Sequence, residues 1–324
     1  MKKKLLVTEF WGLGDLAIGS TFLKSASAEF DLLLIAKPYA VELGKELWPS
    51  VRVLPFVAPW TQFRGKYRLL NWPWKEMRGL LKQVRSFSPD IALSGRCDPR
   101  DHLILSLSGA PRRIGFPRTG SQTLLTDPLP SVGQDAPRTA QWDRLGQALQ
   151  IETIASAGST LNSKQLPKRA VVHTGAAQAL RVWPIDRYNR LIALLLEQGW
   201  EVEIICDDSQ INQWKEFERK PHTPKNPTDL IEVLKRGQLF IGNDSGPGHL
   251  AAALGIPTFT VFGPQRPEWF LPNHPKAGWI EGKPCPHKPC FDYCRFPTPT
   301  CILENSFEEV SSKLQDWISR LEQQ

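Results

Sequence analysis

Short apolar runs recur along this chain, each followed by a turn and then by a stretch with helical spacing. In the first half, residues 4–10, 31–36, 51–56, 90–93 and 112–115 read as strands. Residues 16–30, 39–47, 75–86, 100–108 and 140–149 read as helices, the third ended by Ser88-Pro89. Residues 116–138 are rich in proline and read as loop, and 155–168, with its Ser, Gly, Asn and Pro, reads as a linker. The alternation then restarts. Strands are predicted at 170–173, 201–206, 239–241 and 258–262, and helices at 185–198, 210–218, 228–236 and 250–254. A last amphipathic helix covers 307–321. Strands alternating with helices predict α/β architecture with doubly wound parallel sheets. The chain divides into two such domains, 1–160 and 161–324, and two domains of this kind are expected to face each other across a cleft, where ligands bind.

Composition narrows the class. The 324 residues are 41% hydrophobic and 23% charged, which supports two cores and a polar surface. No apolar run approaches the roughly 20 residues of a membrane span. The opening Met1-Lys2-Lys3-Lys4-Leu5-Leu6-Val7 imitates the front of a signal peptide, but Glu9 and Asp15 interrupt any apolar region, so a first strand of a cytoplasmic protein is expected. The net charge of +7 suits an acidic partner. No nucleic-acid motif accompanies it. Most of the twelve tryptophans read as packing residues. Of six cysteines, Cys97 and Cys206 stand alone. Cys285, Cys290, Cys294 and Cys301 cluster around His287, but without the paired C-x2-C of zinc sites. The spacing favours free thiols or an oxidised pair over a structural zinc.

The densest signal lies at 238–264. An apolar strand runs into Gly242-Asn243-Asp244-Ser245-Gly246-Pro247-Gly248, a small-residue helix follows, and a second strand ends in another Gly-Pro turn. This is the layout of an anion site: amide N–H groups at a helix start lack partners, and glycines admit a diphosphate close to the main chain. Ser245 adds a hydroxyl, and His249 stands where the helix begins. A capped βα turn that binds nothing has the same pattern. After the first strand, Gly12-Leu13-Gly14-Asp15 opens a helix, with glycines that would let a substrate lie on the turn. Asp15 suits either a general base acting on a sugar hydroxyl or a helix cap. A third turn, His173 to Pro184, places Thr174 and Gly175 for a phosphate and Arg181 for a leaving diphosphate, or leaves Arg181 as a surface cation. Asp207-Asp208 reads as plain loop, with ribose binding as the other option.

These segments resemble glycosyltransferase family 9, the ADP-heptose:lipopolysaccharide heptosyltransferases. Gly12-Leu13-Gly14-Asp15 is similar to the family's GxLGD turn, 109–116 to its G-A-x-x-R-x-G-F segment, and 173–184 to its H-x-G-x-x-x-x-K-x-W-P stretch. Asp244-Ser245-Gly246-Pro247-Gly248-His249-Leu250-Ala251-Ala252-Ala253 with Phe262-Gly263-Pro264 matches its D-[ST]-G-x-x-H-x-A-A-A…F-G-P signature. The resemblance implies a GT-B fold of two Rossmann-like domains, with Gly12, Gly14 and the base Asp15 on the acceptor side. Thr174, Gly175, Asp244, Ser245, Gly246, Gly248 and His249 would hold the donor. Arg181, where the family usually has Lys, would stabilise the leaving diphosphate. The final helix would return to brace the first domain. An inverting transfer without metal or other cofactor is implied. The resemblance implies ADP-heptose as the default donor, an anionic lipid-linked glycan as the acceptor, and a cytoplasmic protein with peripheral association with the inner membrane face as a further expectation. The alternatives are a non-catalytic nucleotide-sugar or glycan binder, or a sugar-nucleotide epimerase on the same scaffold.

Overall fold

Each strand–helix repeat of the sequence becomes one layer of a parallel sheet. The computed structural model describes residues 2–62, 67–133, 135–152, 168–290 and 293–323. The chain forms two compact units, 1–154 and 155–324. The linker expected at 155–168 falls almost wholly on 153–167, outside the described residues.

The first unit runs β1 (Lys4–Glu9), α1 (Leu13–Ile18), α2 (Ser20–Glu29), β2 (Asp31–Ala36), α3 (Ala40–Leu47), β3 (Arg52–Pro55), α4 (Trp74–Phe87), β4 (Ile91–Ser94), α5 (Pro99–Leu107), β5 (Arg112–Gly115), β6 (Asp127–Pro128) and α6 (Thr139–Leu149). Its sheet order is β3-β2-β1-β4-β5-β6, all parallel. β1 is central. Leu5, Leu6 and Val7 are fully buried, as a strand covered on both faces requires. One face packs Leu6, Phe10, Ile35, Leu80, Val84, Phe87 and Ile104 together.

The helix read over 16–30 is two helices that meet at Gly19, whose φ of −74° and ψ of −7° stay in the right-handed helical region. The indole of Trp142, from α6, lies so close that a Cβ on Gly19 would sit 2.7 Å from it and one on Gly95 2.6 Å. Trp142 thus wedges between two backbone segments that only glycine lets approach.

The second unit runs β7 (Arg169–His173), α7 (Ile185–Glu197), β8 (Glu201–Ile205), α8 (Pro227–Arg236), β9 (Leu239–Asn243), α9 (Gly246–Ala253), β10 (Thr258–Phe262), α10 (Pro267–Phe270), β11 (Gly278–Glu281), α11 (Thr300–Leu303) and α12 (Phe307–Glu322). Its parallel sheet has the order β11-β10-β9-β7-β8. The helix expected at 210–218 is a 3-10 helix, Asp208–Trp214.

α12 contributes to the second unit's core. Its apolar stripe, Val310, Leu314, Trp317, Ile318 and Leu321, lies in the same core as Tyr188, Leu191 and Leu195 of α7 and Phe259 and Val261 of β10. Gly278 leaves room for the Trp317 ring, whose Nε1 donates to Lys276 O at 2.9 Å. The helix starts at a capping box in which Ser306 Oγ accepts from Glu309 N and Glu309 Oε2 from Ser306 N.

Candidate functional site

In open parallel sheets ligands bind at the carboxyl ends of strands, where the strand order reverses. In the first unit that point lies between β1 and β4, and in the second between β7 and β9. The functional motifs of the sequence map onto both points.

In the first unit the chain leaves β1 through Phe10 and Trp11 and enters α1 with Gly12 as its N-cap and Asp15 in its first turn. Asp15 Oδ2 accepts a long hydrogen bond from Gly12 N at 3.3 Å, and Oδ1 lies 3.4 Å from Arg138 Nη2. Asp15 is therefore a cap, but its side chain keeps 31% exposure, so capping does not use up the carboxylate. Gly12 has an ordinary φ of −79°. Its missing side chain is not demanded by the backbone.

The surroundings of Asp15 are not visible in any motif. Glu9 is buried and accepts from Trp11 N at 2.8 Å. Burial, and secondarily the nearby Asp15 charge, pushes its acid up from 4.5 to about 8, against the pull of the Trp11 amide and Arg96. Tyr39 Oη donates to Trp11 O at 2.7 Å and pins the loop. Two guanidiniums lie over the Trp11 ring, Arg138 at 4.4 Å and Arg96 at 4.9 Å from its centroid. Arg96, itself buried, is paired with Asp98 at 3.3 Å and Asp101 at 3.2 Å. Asp101 also accepts from Trp60 Nε1, and burial raises its acid to about 7, with Arg96 opposing. Lys37 is shifted down by burial and then by Arg96. The carboxylate at 15 thus borders a cluster of mixed charge on which cations converge from β4 and α6.

In the second unit Asn243, at the end of β9, organises the site. Its side chain donates to Thr174 O at 3.2 Å and Gly175 O at 3.0 Å, and accepts from Trp183 N at 3.0 Å and Tyr188 Oη at 2.9 Å. All four amide positions are satisfied, so the loop after β7 is clamped onto β9. Next in sequence, Asp244 is buried and pairs with Arg181 Nη1 at 3.0 Å. Ser245 N-caps α9, and its hydroxyl meets His173 Nδ1 at 3.2 Å rather than the helix. Gly246 and Gly248 form the first turn of α9 around Pro247, whose missing N–H would be an orphan there anyway.

His249 is buried, with no hydrogen-bond partner for Nδ1 among the described residues. Burial, then the Arg181 charge, lowers it to about 4, so the ring is neutral at pH 7. His173 falls to about 4 through burial, against the charge of Asp207.

Two donor candidates fare differently. Thr174 is wholly buried and its hydroxyl takes the Trp214 Nε1 hydrogen at 3.3 Å, so it is not presented to a ligand. A Cβ on Gly175 would meet Gln210 Oε1 at 2.4 Å and Asp207 Oδ2 at 2.7 Å. A side chain there would displace those neighbours, so the position calls for glycine. Arg181, Asp244, Ser245, Gly246, Gly248 and His249 do gather around the start of α9. Sequence reading missed Asn243, Glu9, Arg96 and Asp101. Asn243 could have been suspected as the polar end of an apolar strand, but the others carry no local signal.

The four clustered cysteines line a small cavity of about 20 Å³ together with His287 and Lys288. All six cysteines are free thiols. Among the described residues no group of three or more His, Cys, Asp or Glu side chains is gathered to hold a metal ion. Among them, too, no helix is long and apolar enough to cross a membrane.

Comparison with known proteins follows the same lines. Residues 134–298, half of the chain, match the family model described as glycosyltransferase family 9 (heptosyltransferase). Lipopolysaccharide heptosyltransferase 3 of Escherichia coli (strain K12) is 30% identical over 103 residues, covering 29% of this chain and 30% of that protein. The aligned stretch thus spans less than a third of the curated relative. Among solved structures, the glycosyl transferase family 9 protein from Veillonella parvula DSM 2008 superimposes with a TM-score of 0.76 at 15% identity, over 98% of this chain and 97% of that one. E. coli heptosyltransferase WaaC with ADP gives 0.74 at 13% identity, over 97% and 99%. The dodecameric iron-containing heptosyltransferase TibC in complex with ADP-D-beta-D-heptose gives 0.58 at 15%, over 99% and 76%. Two parallel-sheet α/β units with these neighbours are the GT-B fold. The family match and the fold agree with the four motifs, and the chain belongs to glycosyltransferase family 9, the heptosyltransferases.

Proposed function

We propose that this chain is an inverting glycosyltransferase that moves a sugar, heptose by default, from a nucleotide-diphosphate donor to a hydroxyl of a lipopolysaccharide-core or related glycan. The observation that carries the reading is the pair of residue sets at the two switch points: an accessible carboxylate after β1, and a helix start with a neutral histidine after β9.

In this mechanism the second unit binds the donor. The diphosphate lies at the N-terminus of α9, where Gly246 and Gly248 let it approach the main chain and the helix dipole favours negative charge. Arg181, held by Asp244, supplies positive charge as the diphosphate departs. His249, neutral and with one nitrogen unpartnered, offers an N–H to a phosphate oxygen. ADP as the nucleotide rests on the neighbours that carry ADP or an ADP-sugar.

Asp15 takes the proton from the acceptor hydroxyl as its oxygen attacks the anomeric carbon. The C–O bond to the diphosphate breaks as the new glycosidic bond forms on the opposite face, which inverts the anomeric centre. Whether a metal takes part is read by assaying with and without a chelator, because the neighbour TibC is iron-containing. The cations around Trp11 suit an anionic acceptor such as a lipid-linked glycan.

The test is transfer itself. Labelled ADP-heptose with extracted lipid-linked core should give labelled glycan whose anomeric configuration, read by NMR, is opposite to that of the donor. Donor binding without transfer would point to a binder, epimerised donor in the absence of acceptor to an epimerase, and retained configuration to another mechanism.

A further inference from the structure

The carboxylate at 15 is held in place indirectly. Asp15 Oδ2 accepts from Gly12 N at 3.3 Å, and Oδ1 lies 3.4 Å from Arg138 Nη2. Both contacts are long, so neither fixes the side chain by its own strength. The direction of the carboxylate depends on where the turn and the guanidinium stand. Both trace back to one residue, Trp11. Gly12 follows it in the chain, and the Arg138 guanidinium lies over its ring, 4.4 Å from the centroid.

Trp11 is itself fixed from several elements. Its N–H donates to Glu9 Oε1 at 2.8 Å, and its carbonyl accepts from Tyr39 Oη at 2.7 Å. Both polar groups of this residue's backbone are thus taken up by side chains, at short hydrogen-bond lengths. Glu9 is buried at the end of β1, packed so closely that a Cβ on Gly95 would come 3.1 Å from its Oε2. Tyr39 stands at the start of α3. Arg96, anchored by Asp98 and Asp101, lies 4.9 Å from the centroid of the ring. β1, α3 and the loop after β4 therefore all bear on Trp11, while Asp15 bears on Trp11 alone through its two long contacts.

We propose that Trp11 is a positioning residue for Asp15: its backbone sets the turn through Gly12, its ring sets the carboxylate through Arg138, and Tyr39 is the clamp behind it. This rests on the reading of Asp15 as the base. Proton transfer needs the carboxylate within hydrogen-bond reach of the acceptor hydroxyl, and a misplacement of about 1 Å costs on the order of a hundredfold in rate. With contacts already at 3.3 and 3.4 Å, a shift of about half an ångström at Trp11 takes both beyond hydrogen-bond range. A support of this kind shows in turnover and leaves ligand affinity alone.

Turnover, acceptor KM and donor Kd are measured on the full-length protein for Trp11→Leu, Trp11→Tyr and Tyr39→Phe, and for Trp11→Leu combined with Asp15→Asn. Trp11→Leu should lower kcat about ten- to hundredfold and Tyr39→Phe about three- to tenfold, with acceptor KM and donor Kd within about threefold of the unaltered protein. Trp11→Tyr keeps an aromatic face for Arg138 and should bring kcat back to within about threefold. In the Asp15→Asn background, Trp11→Leu should cost less than about twofold more, because a residue that acts through the carboxylate has nothing left to act on. Tyr39→Phe removes a single hydroxyl and carries the test if Trp11→Leu proves unstable in thermal melting. A kcat unchanged in Trp11→Leu and in Tyr39→Phe overturns the inference. So does a full further loss in the Asp15→Asn background, or an acceptor KM that rises while kcat holds, which would make the ring part of the acceptor's binding site. Undiminished turnover in Asp15→Asn alone removes the base and this inference with it. Loss there, without loss in the Trp11 and Tyr39 variants, removes the inference only.

Discussion

Replacing Glu9 with glutamine keeps the shape of a buried side chain and an oxygen for the Trp11 amide, while removing an ionisation that the fold suppresses. The folded acid stands at about 8 against an ordinary 4.5, chiefly because burial disfavours the charged form and then because Asp15 is near. Since the folded value lies above the unfolded one, the unfolded chain gives up its proton first as pH rises. Stability is therefore fully present below about pH 4.5 and lost progressively up to about pH 8, by about 1.4 kcal/mol per pH unit. Summed to pH 7, the loss reaches about 3 kcal/mol, a large share of an ordinary domain's stability. The glutamine variant has no such loss.

Urea denaturation of both proteins in steps from about pH 4.5 to 8.5, with hydrogen exchange of the β1 amides to identify the first unit's transition, gives the comparison. The variant should pull ahead as pH rises, and the two curves should converge in acid. Parallel curves across that range would refute the burial argument. So would a wild type that gains on the variant towards pH 8, since that would mean a carboxylate stabilised by Arg96 rather than a neutral acid.

Other parts of the molecule answer to simpler tests. Asn243→Ala strands Thr174 O, Gly175 O, Trp183 N and Tyr188 Oη together and should destabilise the second unit by about 3 kcal/mol in denaturant; a loss under about 1 kcal/mol would mean the loop has other supports. Trp317→Ala should cost about 3–5 kcal/mol, because α12 closes the second unit's core. Arg181→Ala should weaken ADP binding in calorimetry by about tenfold or more and leave Asp244 buried without this partner; unaltered affinity would move the diphosphate elsewhere. For the cysteine cluster, less than about a tenth of an equivalent of zinc in purified protein agrees with free thiols, whereas a full equivalent would establish a structural metal.

What the sequence revealed and what it hid divide along physical lines. Strand and helix positions were legible because their cause is local: runs rich in apolar and β-branched residues such as 31–36 and 258–262 become strands buried on both faces. The helix read over 16–30 is two, and the packing of Trp142 against Gly19, far away in the chain, carries no local signal. β11 and α11 were missed because they lie in the irregular stretch after Phe262, where glycine, proline and cysteine interrupt any pattern. The site divides in the same way. Asp15, Asp244, Ser245 and His249 sit in dense motifs of glycine turn and helix start. Glu9, Arg96 and Asp101 owe their importance to burial and mutual charge, which arise only when β1, β4 and α5 come together. Thr174 carries the opposite lesson. A residue type suited to phosphate, at a plausible turn, has its hydroxyl buried against Trp214.

The claim that Asp15 is the base for attack on a donor held elsewhere is tested most directly by measuring kcat and donor Kd together for Asp15→Asn. The account predicts turnover down by about a hundredfold to ten-thousandfold while donor affinity stays within about threefold. Turnover near that of the unaltered protein, or a donor affinity that collapses with the carboxylate, would contradict it.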